Sequence, residues 1–486
     1  MNGLSFDRTT IVTLRNKAGR MDMHSIETDY LVIGSGAVGM AFSDVLLNET
    51  DAKLVLVDLH DRPGGHWNDA YSFVRLHQPS ANYGVNSRAL GHGTKDATGL
   101  NAGLDELATG AEVLSYFEQE MQQQFLPTGR VAYHPRCRYE QCDGEHTFIS
   151  LVSGRRQRVK VRRKLVDTRY FNVQVPSTHQ RSYEVAPGLR CVPLNDLPVI
   201  AQPPSGFVVI GAGKTGVDAC LWLLAHGVEP DDIRWIMPRD AWMLNRAQFQ
   251  SGQPVLAMRS AVEQLEAAAA AASLVDLYAR LEAGGHLLRL DPGVEPTLYR
   301  CATVTLPELE QLRRIRNVVR LGRVQRIEAE RIALERGSVA ADPGWLYVDC
   351  SARAFCNRDV PPIFSGSTIM PQPVRTCTST FSAALVAHVE VALASDSEKN
   401  AMCAPVPLPE RPLDWLRMAL VATANQGRWA RDPGLRAWLA ASRLNHLGGE
   451  GATADEAEMQ SLRQRYRQCV GPAMVNLNEL LANPHE

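Results

Sequence analysis

The sequence predicts a mixed α/β fold that contains two strand–turn–helix units and ends in a helical region. In the first unit, an apolar strand at 30–33 leads into a glycine-rich turn and a helical stretch that ends near Leu47. The same order recurs from Phe207, and its helical stretch ends near Ala225. From Leu413 onward the pattern is mainly helical, with tryptophans and leucines at helical spacing.

Composition and charge limit the classes of function. The chain has 486 residues, enough for two or three domains, with 45% hydrophobic and 21% charged residues. No run of 18 apolar residues is present that could span a bilayer. The 51 Lys and Arg residues nearly balance the 53 Asp and Glu residues, so the chain has no general attraction for nucleic acid or anionic lipid. We therefore predict no nucleic-acid and no membrane partner, and the sequence makes no prediction of the oligomeric state.

The cysteines and the N-terminal residues indicate the cellular compartment. The ten cysteines are scattered, with no C-x-x-C pair and no Cys/His cluster at zinc-finger spacing. We therefore predict no metal site and a reducing, cytoplasmic environment. Residues 1–28 lack the apolar stretch of a secretory signal, and we interpret them as a flexible extension before a first strand at Tyr30.

The first glycine-rich turn has the pattern of a dinucleotide-binding site. Glycines at such a turn let backbone N–H groups approach a pyrophosphate, and the helix N-terminus adds partial positive charge. The cofactor-binding residues predicted here are Gly34, Ser35, Gly36, Ala37 and Gly39. The next apolar strand, at 54–57, ends at Asp58, about 20 residues further on, where an acid can bind a ribose hydroxyl. This unit predicts FAD or NAD.

The second glycine-rich turn has no acid at the end of its second strand. Its predicted cofactor-binding residues are Gly211, Gly213, Lys214, Thr215 and Gly216. Lys214 adds a cation beside a diphosphate, and Arg239 stands where an acid would repel a 2′-phosphate. We therefore predict NADPH at this turn, with NADH as the alternative. For Arg239 the alternative is an exposed arginine that pairs with Asp240 or another neighbour.

A G-G-x-W element follows the first unit and consists of Gly64, Gly65, His66 and Trp67. Together with the two glycine-rich turns and a return strand before Ala352, it forms an ordered set that resembles the flavin-containing monooxygenase superfamily, which includes Baeyer–Villiger and N-hydroxylating enzymes. The resemblance implies that the first turn binds FAD and that the second binds NADPH. It also implies that Gly65, His66 and Trp67 lie against the flavin.

A polar segment at 75–88 is rich in hydrogen-bonding groups and turn formers. In the family that the chain resembles, the corresponding segment approaches the flavin ring. The candidates for contacts with the flavin or the substrate are therefore His77, Gln78, Asn82 and Asn86, and we predict that His77 and Gln78 bind the cofactor. Our candidates for catalysis are His66, His77, Gln78 and Asn82; the alternative is a polar loop without such a role.

Several motifs of related enzymes are altered or absent. The F-x-G-x-x-x-H signature of oxygenating members is missing before the second unit, and its nearest counterpart is His179 after an extended strand. The A-T-G elements at the domain crossings are replaced by the sequences at 166–169 and 348–352. Disulfide reductases place a C-x4-C pair soon after the ribose acid, and this chain has none there. These departures weaken the prediction of oxygenation chemistry more than they weaken the prediction of cofactor binding.

The predicted architecture is an FAD domain that is interrupted by an NAD(P)-binding domain and followed by a helical C-terminal cap. Both dinucleotide-binding domains are expected to be Rossmann-like. The predicted segments are a flexible extension (1–28), the first part of the FAD domain (29–202), the NAD(P)H-binding domain with a helical insertion (203–343), the second part of the FAD domain (344–404) and the cap (405–486).

The predicted function is that of an FAD-dependent, NAD(P)H-using oxidoreductase. The resemblance implies a class B flavin monooxygenase-like enzyme that oxygenates a small organic substrate with molecular oxygen. Two alternatives stay open: an NAD(P)H-dependent flavin reductase or oxidase without oxygenation, and an FAD-binding protein without catalysis. The substrate itself is not predicted, because no local motif specifies it.

Overall fold

The computed structural model describes the chain in five stretches, at 25–142, 144–171, 173–353, 359–446 and 456–483. The α-helices in these stretches are α1 (Ala37–Glu49), α2 (Gly110–Gln119), α3 (Lys214–Ala225), α4 (Pro254–Ala270), α5 (Leu274–Ala283), α6 (Leu306–Leu312), α7 (Ser379–Ala392), α8 (Asp396–Met402), α9 (Pro412–Trp429), α10 (Pro433–Ala441) and α11 (Glu456–Ala482). The β-strands there are β1 (Ser25–Ile33), β2 (Leu54–Val57), β3 (Val131–His134), β4 (Cys137–Cys142), β5 (Glu145–Ser150), β6 (Arg156–Asp167), β7 (Glu184–Val185), β8 (Cys191–Pro193), β9 (Phe207–Ile210), β10 (Ile233–Ile236), β11 (Ala241–Asn245), β12 (Leu287–Leu288), β13 (Leu298–Val304), β14 (Val318–Val319), β15 (Val324–Ile327), β16 (Arg331–Leu334), β17 (Gly337–Ala340), β18 (Leu346–Asp349), β19 (Phe364–Ser365) and β20 (Thr368–Ile369).

The first sheet carries the first glycine-rich turn. Its strands lie in the order β19, β20, β6, β1, β2, β3, and the hairpin of β4 and β5 joins it through β5 and β6. Because β1 pairs in parallel with both β2 and β6, the carboxyl ends of these strands share one edge. Every residue of β2 is buried, as expected for a parallel strand that is covered on both faces. Helix α1 packs on this sheet beside α7.

The second sheet carries the second glycine-rich turn and repeats the first arrangement. Its strands lie in the order β14, β10, β9, β18, β8, and every neighbouring pair is parallel. Strand β9 is buried along its length and leads through the turn into α3. This sheet also contains β8 and β18, and both strands lie outside the predicted segment 203–343. Two smaller sheets, β12-β11-β13 and β17-β16-β15-β7, complete the inserted region.

The first strand begins earlier than the sequence predicts. Strand β1 starts at Ser25, and its residues 25–28 pair with 158–161 of the long strand β6. Thr28 is 1% exposed and donates a hydrogen bond to the carbonyl oxygen of Lys53 at 2.8 Å. The predicted extension 1–28 therefore overlaps the strand by four residues, and residues 1–24 lie outside the described stretches.

The helical insertion and the cap pack on each other. The single helix predicted at 263–281 is two helices, α4 and α5, because Ser273 caps α5 by accepting a hydrogen bond from the backbone N–H of Asp276 at 3.1 Å. Helix α11 lies along α4 and α9, and Trp415 of α9 shares a core with Trp242. Within the described stretches, none of the helices combines the length and the apolar composition that a membrane crossing requires. The α/β fold with a helical C-terminal cap is confirmed.

Candidate dinucleotide-binding cavity

The two glycine-rich turns open into one cavity of about 940 Å³. This volume is near the upper end of the usual range for ligand sites, about 300–1,000 Å³. The wall includes Gly34 and Gly36 of the first turn and Gly211 and Gly213 of the second. Each turn follows a parallel strand and precedes a helix, so the cavity lies at the carboxyl edges of both parallel sheets, where α/β proteins bind ligands.

The first turn is closed by backbone contacts that require glycine. Gly34 has a φ of 98°, in the left-handed region. A Cβ on Gly39 would lie 2.0 Å from the carbonyl oxygen of Gly34. The backbones of Gly36 and Gly65 are so close that a Cβ on Gly65 would lie 3.0 Å from the Gly36 Cα. The wall at the N-terminus of α1 is therefore bare backbone, which a pyrophosphate can approach.

Asp58 lies directly after β2 and binds the first turn. Its Oδ2 accepts hydrogen bonds from the Ser35 backbone N–H at 2.5 Å and from Ser35 Oγ at 2.8 Å, and its Oδ1 accepts one from the His60 backbone N–H at 2.8 Å. Burial acts to raise the pKa of Asp58, but the hydrogen bonds from His60 and Ser35 outweigh it and hold the pKa below its usual value. Asp58 is therefore a charged carboxylate in the cavity wall.

His60 is a residue of the cavity wall that the sequence analysis missed. Its Nδ1 lies 3.1 Å from Asp58 Oδ1, and its Nε2 lies 2.7 Å from Asp69 Oδ2. The hydrogen bond to Asp58 is the main reason that the pKa of His60 rises to about 9, although burial opposes the rise. A charged His60 thus holds two carboxylates together. The signal available in the sequence is a histidine two residues after Asp58, the predicted ribose acid.

We expect His60→Gln to flatten the pH dependence of stability. The pKa of about 9 in the folded protein lies above the ordinary value of 6.5, so protonated His60 stabilises the fold fully below pH 6.5 and loses this effect as the pH rises through 9. Urea unfolding across this pH range should show that the free energy of unfolding of the wild type falls by up to about 3 kcal/mol more than that of the variant. The control is a substitution of the exposed His92, His92→Gln. If the free energy of unfolding of His60→Gln fell with pH as much as that of the wild type, the raised pKa would not belong to His60.

The G-G-x-W element forms a short 3-10 turn, Gly65–Asp69, in the cavity wall. Trp67 is 8% exposed, and its indole Nε1 donates a hydrogen bond to the Tyr83 hydroxyl at 2.9 Å. The ring of His66 stacks on Trp67 with a centroid distance of 5.4 Å. Burial lowers the pKa of His66 to about 4, so this ring is neutral at physiological pH.

The polar segment contributes His77 and Gln78 to the cavity wall. The Nδ1 atom of His77 is buried and has no hydrogen-bond partner among the described residues. Burial lowers the pKa of His77 to about 3, and the charges of Lys214 and Arg246 add to this effect. Arg246 is itself 1% exposed and fixes the segment by donating from Nε to the His77 carbonyl oxygen at 3.0 Å. The segment thus supplies a neutral histidine to the cavity.

The second turn repeats the backbone geometry of the first. Gly211 has a φ of 135°, and a Cβ there would lie 2.3 Å from the carbonyl oxygen of Cys350. A Cβ on Gly216 would lie 2.2 Å from the Gly211 carbonyl oxygen. A Cβ on Gly213, in contrast, would meet nothing within 4 Å. Gly216 therefore permits the close packing of α3, whereas Gly213 leaves open space in the cavity.

Lys214 and Thr215 line the cavity at the start of α3. The Lys214 ammonium forms an ion pair with Asp218 one helical turn later. Asp218 also accepts a hydrogen bond from the Tyr71 hydroxyl at 2.5 Å, which ties the second unit to the segment after the G-G-x-W element. The charge of Lys214 is thus partly neutralised, and a diphosphate would compete with Asp218 for it.

Arg239 lines the cavity after β10 and is already in an ion pair. Its Nη2 lies 2.9 Å from Glu410 Oε1, and Arg300 Nη2 lies 2.7 Å from the same oxygen. Asp240, the neighbour considered in the sequence analysis, pairs with Arg320 at 2.8 Å instead. Two arginines thus contact one carboxylate oxygen, and guanidinium groups of this kind also suit a phosphate.

Ser351, two residues after the return strand β18, lies beside a histidine of the cavity wall. Ser351 Oγ donates to Asp349 Oδ1 at 2.6 Å and lies 3.3 Å from His179 Nε2. Both Ser351 and His179 line the cavity. His179 has no predicted role, because its spacing departs from the family signature.

Most of the predicted site residues share this cavity. Those that line it are Gly34, Gly36, Ala37, Asp58, Gly65, His66, Trp67, His77, Gln78, Gly211, Gly213, Lys214, Thr215 and Arg239. Ser35, Gly39 and Gly216 are not among the lining residues and support the two turns from behind. Asn82 is also absent from the lining residues, because its side chain lies at the inserted region, where its Oδ1 accepts a hydrogen bond from Ser251 Oγ at 3.1 Å.

The charge of the cavity wall is predominantly positive. Its basic residues are Arg75, Arg138, Arg169, Lys214, Arg239, Arg300, Arg323 and Arg353, and its acidic residues are Asp58 and Asp218. In the part of the chain that the structure describes, no group of three or more His, Cys, Asp or Glu side chains is arranged to hold a metal ion. The excess of basic over acidic lining residues favours a polyanionic ligand, which would compete with the carboxylates that already pair with some of them, as Glu140 does with Arg138 and Asp167 with Arg169.

Comparison with known proteins identifies close relatives. No protein-family model matches this chain. The chain is similar to the uncharacterized proteins Rv2000 of Mycobacterium tuberculosis (strain H37Rv) and Mb2023 of Mycobacterium bovis. Each is 51% identical to it over 425 residues, which cover 87% of this chain and 78% of the relative.

Comparison with solved structures identifies the fold. The polycyclic ketone monooxygenase from Thermothelomyces thermophila aligns with a TM-score of 0.51 and 11% identity over 91% of this chain and 88% of that chain. A flavin-containing monooxygenase from Stenotrophomonas maltophilia aligns with a TM-score of 0.44 and 14% identity over 78% of this chain and 99% of that chain. The first of these likenesses confirms the fold of the superfamily that the motifs resemble.

Proposed function

This chain belongs to the same family as Rv2000 and Mb2023, and we propose that it is an FAD-dependent oxidoreductase that uses NADPH. The observation that carries the proposal is that two glycine-rich turns, each with the backbone geometry of a dinucleotide site, open into the same cavity. Two dinucleotides bound there would share one cavity. When bound, the flavin would take a hydride from the nicotinamide and supply two electrons to the next acceptor.

The residues of the first turn fit FAD. The bare backbone at Gly34 and Gly36 provides N–H groups and partial positive charge for a pyrophosphate. Asp58 is held in its charged form and has the position of a ribose acid. His66 and Trp67 place aromatic surface further along the same wall, where it can exclude water from the reacting groups.

The residues of the second turn fit a nicotinamide dinucleotide with a 2′-phosphate. Lys214 and Thr215 stand at the N-terminus of α3, where a diphosphate is favoured. Arg239 and Arg300 share the carboxylate of Glu410, so a phosphate would replace that carboxylate as their partner. NADH lacks this phosphate and is the weaker candidate.

We expect Arg239→Ala to weaken NADPH binding much more than NADH binding. Loss of one charged hydrogen-bonding partner costs about 1–3 kcal/mol, which corresponds to about 5- to 150-fold in affinity. Glu410→Gln removes the competing carboxylate and should change NADPH affinity in the opposite direction. Equilibrium titrations of both variants with both nucleotides test this, and equal losses for NADPH and NADH would remove Arg239 from the site.

The proposed reaction is oxygenation of a small organic substrate, with molecular oxygen as the second substrate. The G-G-x-W element and the fold shared with a polycyclic ketone monooxygenase support this choice. Burial keeps His66 and His77 neutral, so both can orient a substrate by hydrogen bonds without adding charge. The chain's own contribution is thus to position the reactants and to exclude water.

One experiment separates this reaction from its alternatives. The purified protein is examined by absorbance without oxygen, then with NADPH, and then with air while NADPH, oxygen and hydrogen peroxide are measured. Oxygenation predicts flavin bleaching by NADPH and, with a substrate panel, a product that carries one added oxygen atom. Peroxide formed in proportion to NADPH with every substrate would indicate a reductase or oxidase. Bound flavin that NADPH does not reduce would indicate an FAD-binding protein without this catalysis.

A further inference from the structure

A pair of cysteines joins two parts of the cavity wall. Cys301 lies in β13 and Cys377 lies two residues before α7, and they form a disulfide with a Cα–Cα distance of 6.6 Å across 76 residues of sequence. Cys377 lines the cavity, and so do the β13 residues Leu298, Arg300 and Ala302. The disulfide thus connects the inserted region to the segment that leads into α7, the helix that packs against α1.

The backbone beside this disulfide adopts conformations that are rare outside glycine. Cys301 has a φ of 57° and Thr376 has a φ of 43°. Strand β13 also shifts its register against β11 between Tyr299 and Thr303, on either side of Cys301. A non-glycine residue in the left-handed region is strained and persists where its surroundings hold it, often at functional sites. The disulfide therefore holds together two strained segments.

The position of Cys377 favours thiol chemistry. It precedes the N-terminus of the 14-residue helix α7, whose partial positive charge stabilises a thiolate, and the cavity gives access to it. Three unpaired cysteines contrast with it, because burial raises the thiol pKa of each well above its usual value. These are Cys220, Cys350 and Cys403.

We propose that Cys301–Cys377 is a reversible thiol–disulfide site that low-molecular-weight thiols reach through the cavity and whose reduction releases β13 from α7. A small thiolate bonds to Cys377 Sγ, the Cys301–Cys377 bond breaks, and Cys301 leaves as a thiolate that takes up a proton. A second small thiolate bonds to the sulfur of the first, and Cys377 leaves as a thiolate. Two small thiols are thereby oxidised to one small disulfide, and one protein disulfide is reduced to two thiols.

The test uses the full chain under native conditions. The protein is equilibrated with graded mixtures of reduced and oxidised glutathione and then alkylated, and the labelled peptides are identified by mass spectrometry. We expect Cys301 and Cys377 to become labelled together and reversibly. Hydrogen exchange should then be several-fold faster in β13 and at the start of α7, because the link between them is lost.

Variants provide the controls for this test. Cys377→Ser should show the faster exchange without any added thiol, whereas Cys403→Ser removes an unpaired, buried cysteine and should behave like the wild type. The proposal would be overturned if the two cysteines were labelled only after denaturation, or if oxidised glutathione did not restore the disulfide. It would also be overturned if both cysteines were labelled without any change in hydrogen exchange. These readouts need neither nucleotide nor turnover, so their failure and a failure of the proposed function are distinguishable.

Discussion

Replacing Asp58 with alanine should give a protein that folds but loses most of its FAD during purification. The carboxylate accepts hydrogen bonds from Ser35 and His60, so its removal both loosens the first turn and deletes the proposed ribose acceptor. Loss of one charged hydrogen bond costs about 1.5–3 kcal/mol, and the FAD dissociation constant should therefore rise about 10- to 150-fold. The measurement is the flavin-to-protein ratio by absorbance, followed by titration of the apoprotein with FAD.

Two further variants make this result interpretable. Asp51→Ala removes an exposed carboxylate just before β2 and should keep full FAD. Asp58→Asn keeps the shape of the side chain but supplies one acceptor oxygen where the structure uses two, so it should lose FAD nearly as much as alanine. A purified Asp58→Ala protein that holds stoichiometric FAD would refute the assignment of Asp58.

Replacing Gly213 with alanine should abolish tight NADPH binding while leaving the fold and the bound FAD intact. A Cβ on Gly213 meets no atom of the protein within 4 Å, but it enters the cavity where the diphosphate is proposed to lie. A clash of this kind costs about 1–3 kcal/mol, which raises the dissociation constant about 5- to 150-fold. NADPH titration, the melting temperature and the flavin content measure the three expected results.

Gly216→Ala is the matched substitution in the same turn. Its Cβ would lie 2.2 Å from the Gly211 carbonyl oxygen, so this variant should lose stability as well as nucleotide binding. If Gly213→Ala binds NADPH as the wild type does, the second turn is not the nucleotide site. If both variants lose stability equally, the space beside Gly213 does not have the role that we assign to it.

The supersecondary units were predictable from the sequence because their determinants are local. An apolar tetrapeptide followed by spaced glycines requires a strand, a tight turn and a helix within about 20 residues, and both units were predicted from this pattern. Ser273 shows a local signal that was overlooked, since its cap divides a predicted helix into α4 and α5. Strand β1 begins early because its first residues pair with a strand more than 100 residues away.

The partners of the charged site residues were not predictable from the sequence. Arg239 pairs with Glu410, which is 171 residues further along the chain, and Asn82 meets Ser251 across 169 residues. The scattered cysteines indicated a reducing environment, yet Cys301 and Cys377 meet because β13 and the segment before α7 line the same cavity. Such long-range pairs depend on tertiary packing, and local sequence patterns do not predict it.

The contact between Gly36 and Gly65 has a consequence for how the protein is assembled. The proposed FAD site is completed only when two backbone segments, separated along the chain by α1 and β2, meet without an intervening side chain. The junction closes a loop of the chain, and this closure costs conformational entropy. A ligand bound across it stabilises the folded state by mass action. A cofactor bound across this junction would therefore offset part of the conformational entropy that closing the loop costs.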